Sequence, residues 1–190
     1  MSDLISYATQ LLEREKFNLP PVDRWNPEYT GEIDIVIKRD GIWFHDGEPI
    51  KRADLVRLFS SILRKEADDY FLVTPVEKQR IDVEDVPFLA VQFEHRQEGA
   101  AQVLSFTTNL GECVEAGKEN PITYRPIPGA TDLAPYIHIR NGLEARILTS
   151  IFYDLMDLVV EQNVDGVGEV GLFSGGEFFK LSDANEILEK

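Results

Sequence analysis

Apolar residues in this chain recur with two periods, and the switching between them lays out an α+β protein. Leu4, Ile5, Ala8, Leu11 and Leu12 fall three and four apart, the spacing of one buried helix face. That helix ends near Lys16, because Pro20-Pro21 forbids its continuation. Ile33, Ile35 and Ile37 then alternate with Asp34, Val36 and Lys38, the period of two that marks a strand. Asp40-Gly41 reads as a hairpin turn, after which Trp43-Phe44-His45 returns and Asp46-Gly47-Glu48-Pro49 turns the chain again. Leu55, Leu58, Phe59 and Ile62 restore helical spacing over 52–65. Strands are expected at 70–74, 78–83, 87–94 and 102–108, with Pro75 bending the first pair and Gln97-Glu98-Gly99 joining the second.

Beyond residue 108 the pattern starts over. Residues 109–135 carry Pro121, Pro126, Pro128 and Pro135 among Gly and Glu, the composition of a crossing linker with short strands around Cys113 and Thr123. Tyr136-Ile137-His138 then matches Trp43-Phe44-His45 at a spacing of 93 residues. The same spacing sets Leu55 on Leu148, Phe59 on Phe152 and Ile62 on Leu155, which predicts a second helix over 144–160. A hairpin closes the chain, 170–174 and 177–181 about Gly175-Gly176. The expected architecture is two related antiparallel-sheet-plus-helix units from an internal duplication. The first takes in residues 1–108 with the N-terminal helix, and the second 109–190 with the linker. Related halves meet at an interface, and domain interfaces are favoured ligand sites.

Charge narrows the partners. The 190 residues carry 34 Asp and Glu against 19 Lys and Arg, a net charge of −15. No basic run is long enough to neutralise a nucleic-acid backbone, and an anionic membrane offers no attraction. No segment approaches the ~20 apolar residues of a membrane span, and the N-terminus lacks the form of a secretory signal. Cys113 stands alone, which excludes an internal disulfide and suits a reducing cytoplasm. With one Cys and only His45, His95 and His138, a sulfur-rich structural zinc site is excluded, and neither metal nor cofactor is expected.

Candidate chemistry is sparse. His45 and His138 match across the repeat, but each precedes a turn, where an imidazole commonly satisfies a backbone group. Asp46, Glu48, Glu84, Asp85 and Asp154 supply carboxylates without any spacing that pairs them for acid–base work. Ser60 and Ser61 sit on a helix, and no nucleophile elbow, phosphate-binding loop or dinucleotide glycine fingerprint is present. More informative is Thr74-Pro75-Val76-Glu77-Lys78-Gln79-Arg80, which places an acid and two bases beside a bend. Its counterpart is Arg140-Asn141-Gly142-Leu143-Glu144-Ala145-Arg146, expected to enter the second helix with free N–H groups. Helix N-termini and guanidinium forks both suit a carboxylate or a phosphate.

Those stretches also carry a family resemblance. Gly47-Glu48-Pro49-Ile50, the run from Tyr70 to Lys78, and Val83-Glu84-Asp85-Val86-Pro87-Phe88 resemble the bacterial domain-of-unknown-function 1285 family. Gly142-Leu143-Glu144-Ala145-Arg146 and Phe152-Tyr153 are similar to its second block. The resemblance implies a duplicated two-domain α+β protein whose second domain loosely resembles pleckstrin-homology sheets. It also implies a pocket for a nucleotide-like ligand at the domain junction and a role in signal transduction.

Residues and resemblance together lead to a non-catalytic cytoplasmic sensor for a small anionic or nucleotide-like ligand. Lys78, Arg80, Arg140 and Arg146 are the expected anion contacts, Glu77 and Glu144 orient them, and Trp43 or Tyr136 is a candidate wall for a base. One alternative is a hydrolase of phosphorylated or nucleotide substrates acting through His45, Asp46 or His138. Another is a protein-interaction adaptor that grips its partner by a sheet edge or the N-terminal helix.

Overall fold

A computed structural model describes residues 19–98, 101–164 and 167–183. The chain divides into two compact units, the first ending at Pro87 and the second beginning at Phe88. The helix expected to end near Lys16 lies outside the described residues.

Among the described residues, the first unit is a six-stranded sheet with one α-helix. A three-residue 3-10 turn at Val22–Arg24 precedes β1 (Tyr29–Ile37), β2 (Trp43–His45) and β3 (Glu48–Pro49). Helix α1 (Ala53–Ser61) leads to β4 (Leu63–Glu66), β5 (Asp69–Val73) and β6 (Lys78–Val83). The strand order is β3-β2-β1-β6-β5-β4, antiparallel except where β1 runs parallel to β6. Asp46 and Gly47 both take positive φ, 49° and 77°, the backbone that a two-residue hairpin of right-handed twist requires.

Helix α1 is shorter than the expected 52–65. The Ser60 and Ser61 hydroxyls donate back to the Arg57 and Leu58 carbonyls at 2.7 Å each, and the Ile62 N–H closes a tight last turn on Phe59 and Ser60. From Leu63 the backbone pairs with β5 instead, Leu63 opposite Leu72 through Glu66 opposite Asp69, turning at Ala67 with φ 51°. This choice buries Leu63 and turns Arg64 and Glu66, both half-buried, to the opposite face of the sheet. Ile35, Ile37, Trp43, Leu72 and Ile81 line the sheet face against which Val56, Phe59 and Ile62 pack, each worth roughly 1.5–3 kcal/mol of burial. Trp43 stacks on Phe59 with ring centroids 6.4 Å apart.

The second unit repeats that strand order. Strands β7 (Phe88–Glu98), β8 (Ala101–Thr108), β9 (Cys113–Glu115), β10 (Ile122–Pro126), β11 (Leu133–Arg140) and β12 (Leu143–Ile147) form a sheet ordered β10-β11-β12-β7-β8-β9. Its one parallel pair joins β7, the first strand, to β12, the last. Helix α2 (Thr149–Met156) follows, then a separate three-stranded sheet of β13 (Val160–Val164), β14 (Val167–Ser174) and β15 (Glu177–Asp183). The closing hairpin about Gly175-Gly176 is as expected. Ser174 is fully buried, donates to the Ala116 carbonyl at 2.7 Å and accepts the Leu104 N–H at 2.9 Å, which ties β14 to β8.

Three expectations change. The boundary falls at Pro87/Phe88, because β7 and β8 hydrogen-bond to β12 and β9, so 88–108 belongs to the second unit and not to 1–108. Residues 109–135 are no crossing linker: they supply β9, β10 and the start of β11 to one sheet. The span 144–160 is not one helix. Leu143, Ala145 and Ile147 are buried and alternate with Glu144 and Arg146, so this stretch is the strand β12, and helix begins only at Thr149.

The 93-residue spacing matches a local order, hairpin then helix, but not a place in the sheet. Trp43–His45 is a second strand and Tyr136–His138 lies in a fifth; α1 sits between third and fourth strands, while α2 follows the sixth. The sheets coincide when β1 is set on β7 and β6 on β12.

Candidate functional site

The six residues expected at an anion site divide between the units, three in each. In the first, Lys78 and Arg80 begin β6 and Glu77 closes the turn before it. Thr74 builds that turn: its Oγ1 accepts the Glu77 N–H at 3.0 Å and its own N–H donates to the Glu77 carbonyl at 2.8 Å. Register sets Arg64, Phe71, Arg80 and Glu32 side by side across β4, β5, β6 and β1, on the face away from α1. Lys78 Nζ lies 3.0 Å from Glu66 Oε2 and 5.0 Å from the Phe71 ring, and Arg64 bonds the same carboxylate. Arg80 donates to Asp69 and to Glu32, 3.0 Å each.

This face is a ladder of alternating charge, with no basic patch. Partial burial pushes the Glu66 pKa up, but the Lys78 hydrogen bond and the Arg64 charge outweigh it, and the carboxyl ends below its usual range. The Glu32 hydrogen bond, then the Asp69 charge, raise Arg80 above its ordinary value. The groove beside Arg80, about 270 Å³, is lined by Glu32, Ile33, Asp34, Arg80, Ile81 and Asp82. Three carboxylates to one guanidinium give it the sign that repels an anion.

In the second unit the hairpin β11–β12 carries the other three. Asn141 and Gly142 take φ 48° and 76° at its tip, so Arg140 and Arg146 belong to strands and do not stand at a helix N-terminus. Arg140 is opposite Leu143 in register and its guanidinium is 5.6 Å from the Phe88 ring, on the buried side of the sheet. It grips Glu112 in bidentate fashion at 2.8 and 3.2 Å. Glu144 and Arg146 point to the other face, across from His138 and Tyr136.

Here the structure adds a residue that the sequence reading passed over. Arg125 of β10 lies on the same face, its guanidinium 3.6 Å from the centroid of the Tyr136 ring. One nitrogen, Nη2, donates to Glu144 Oε2 at 2.8 Å, while Nη1 is buried and has no hydrogen-bond partner. A buried donor left unmade costs about 1–3 kcal/mol, so such groups ask for an explanation. Arg125, Glu144 and Arg146 around Tyr136 carry two positive charges and one negative. Tyr136 and Trp43 are both core residues, 0% and 1% exposed, so neither offers an open wall to a base.

Of the residues named for hydrolysis, His138 holds backbone groups. His138 Nδ1 is 2.9 Å from the Glu119 carbonyl, and Nε2 accepts the Gly142 N–H at 3.1 Å. Both ring nitrogens therefore serve the backbone, and the hydrogen sits on Nδ1. His45 lies in the other unit, 3.6 Å from Asp46, beside a small apolar cleft of about 60 Å³ lined by Ile33, Ile35, Ile50, Leu55 and Phe59. Among the described residues, no three His, Cys, Asp or Glu side chains are grouped to hold a metal, and no helix is long and apolar enough to cross a membrane.

Comparison with known proteins now bears on identity. Residues 20–86 match the model of the DUF1285 N-terminal domain, described as a domain of unknown function, and 87–181 match the DUF1285 C-terminal domain. The chain belongs to the DUF1285 family. The family resemblance is thus confirmed, and the family's own division at 86/87 falls within one residue of the point where the two compact units part. A crystal structure of a DUF1285 family protein from Silicibacter pomeroyi DSS-3 is similar at 46% identity and a TM-score of 0.85, over 98% of each chain. A DUF1285 family protein from Shewanella baltica OS155 is similar at 30% identity and a TM-score of 0.51, over 66% of this chain and 91% of that one. No curated protein matches the chain.

Proposed function

We propose that this DUF1285 protein is a non-catalytic receptor for a small anionic ligand, which it holds on the β10–β11–β12 face of its second unit. One observation carries the proposal: Arg125 is stacked on Tyr136 with one nitrogen on Glu144 and the other buried without a partner. A guanidinium held flat by a ring and a carboxylate is pre-aimed, so a carboxylate or phosphate oxygen loses little entropy in meeting it. Arg146, across the ladder from Tyr136, adds the second positive charge.

Lys78, Arg80 and Arg140 support the site less well, since an anion would have to displace Glu66, Glu32 with Asp69, or a bidentate Glu112. The anionic group is the supported part of a nucleotide-like ligand; stacking of its base on Trp43 or Tyr136 is not. A sensing role in signal transduction and a cytoplasmic setting go with this proposal. So does an origin by duplication, for which the shared strand order argues, and a pleckstrin-homology likeness of the second unit, six strands followed by a helix.

Calorimetry of the full chain against inorganic phosphate, nucleotides and small dicarboxylates is the test. Arg125→Ala is expected to weaken the best ligand about tenfold or more, the worth of one charge-assisted hydrogen bond. Heat from no member of the panel, or equal affinity in the variant, would retire the proposal.

A further inference from the structure

Arg125 and Glu144 set a hydrogen-bond donor beside an acceptor of opposite charge on one face of the second unit. Arg125 Nη2 donates to Glu144 Oε2 at 2.8 Å, and Nη1 of the same guanidinium is buried without a partner. A carboxylate accepts on both oxygens, and Arg125 takes up Oε2 alone. The contrast is Arg140 with Glu112, where two bonds engage both oxygens and close the pair. We propose that this site takes an acidic α-amino acid, α-carboxylate on Arg125 and ammonium on Glu144; the assignment rests on the function proposed above.

An α-amino acid carries its carboxylate and its ammonium on one carbon, so its two charges are as close together as the groups they meet. A plain anion fits the pair less well. Its oxygens reach Arg125 only beside the Glu144 carboxylate, where like charges repel. An ammonium on the adjacent carbon replaces that repulsion with a second charge-assisted hydrogen bond. The count of charge extends the match: Arg125 and Arg146 against Glu144 leave one net positive charge. Two carboxylates and one ammonium, an acidic amino acid, answer them sign for sign. The pair is reached from solvent, with 39% of the Arg125 side chain and 20% of Glu144 exposed, while the Tyr136 ring 3.6 Å away holds the plane of the guanidinium. His138, across from Glu144, spends both ring nitrogens on backbone groups and does not contend for that carboxylate.

Matched pairs test the ammonium alone: aspartate against succinate and glutamate against glutarate, titrated by calorimetry into the full chain. In wild type each amino acid is expected to bind about tenfold tighter or more than its amine-free twin, the worth of one charge-assisted hydrogen bond. Glu144→Gln keeps an amide oxygen for Arg125 Nη2 but removes the charge that the ammonium meets, so the preference within each pair should vanish. Mere support of Arg125 by Glu144 would act on both twins alike and would not move that preference. Equal affinities within the wild-type pairs, or a preference that survives Glu144→Gln, overturns the amino-acid ligand and leaves the anion site standing. So does heat from phosphate or a nucleotide with none from either pair. Silence from every one of these compounds ends both.

Discussion

Among the described residues three serines are buried, and removing their hydroxyls should not cost the same. Ser174 is 0% exposed and its Oγ serves two backbone groups remote in sequence, the Leu104 N–H at 2.9 Å and the Ala116 carbonyl at 2.7 Å. Ser174→Ala leaves both groups buried, since Leu104 and Ala116 are 0% and 1% exposed. At about 1–3 kcal/mol for each orphaned group, less what is regained by not desolvating a hydroxyl, the expected loss is about 2–4 kcal/mol. Ser61 is also buried, but its hydroxyl serves one group, the Leu58 carbonyl of its own helix. Ser61→Ala removes the partner of one group where Ser174→Ala removes the partners of two, and it gains helix propensity, so its loss should be about half as large or less. Urea denaturation reads both variants. For an m-value of ~1–3 kcal/mol/M, a loss of ~3 kcal/mol in the Ser174 variant moves the midpoint of the second unit down by about 1–3 M. Equal shifts in the two variants, or less than ~1 kcal/mol for Ser174→Ala, would refute the premise that cost follows the groups left behind.

Gly171→Ala should destabilise the closing sheet by several kcal/mol, on the order of the worst core overpacking, because its Cβ would meet the Phe179 carbonyl oxygen and lie 2.6 Å from Phe178 Cζ. Thermal denaturation checks this, and a midpoint within a degree or so of wild type would contradict it. Glu66 has a depressed folded pKa, so the stability it adds is present above the unfolded carboxylate value of about 4.3 and lost as pH falls through the folded one. The stability gap between wild type and Glu66→Gln should therefore be widest near neutrality and close below about pH 4, as seen by denaturation at stepped pH. With the Glu66 carboxylate 39% exposed, solvent screening keeps that gap small. A gap that widens on acidification contradicts the sign.

Much of the first unit could be read from its residues because the strands alternate cleanly and the turns name themselves. Ile33, Ile35 and Ile37 point inward as their spacing demands, and Asp40-Gly41, Asp46-Gly47 and Gly175-Gly176 all turn the chain. What failed was the choice of period where residues suit both. Leu143-Glu144-Ala145-Arg146 is rich in good helix formers, yet Asn141-Gly142 just before it is the strongest hairpin signal in the chain, and tertiary pairing with β7 outweighs propensity. Likewise Leu63 continues the apolar spacing of α1, but Ala67-Asp68 allows a turn and β5 offers a ladder.

The candidate site was legible in part for the same reason. Glu144 and Arg146 stand in a motif whose charges are plain in the sequence, but their neighbour Arg125 lies in a proline-rich stretch with the composition of a linker, which discloses no register. The period-two sequence Thr123, Tyr124, Arg125 beside Tyr136 was the available signal. Lys78, Arg80 and Arg140 looked like free cations because sequence does not disclose cross-strand partners; Glu66 is twelve residues from Lys78, and Glu112 twenty-eight from Arg140.

An NMR titration that follows every arginine side-chain N–H as sulfate is added to the full chain tests the central claim most directly. The resonances of Arg125 and Arg146 should move together and saturate, while those of Arg80 and Arg140, already clasped by carboxylates, hold still. Movement led by Arg80 or Arg140, or none at all, would contradict an anion site on the β10–β11–β12 face.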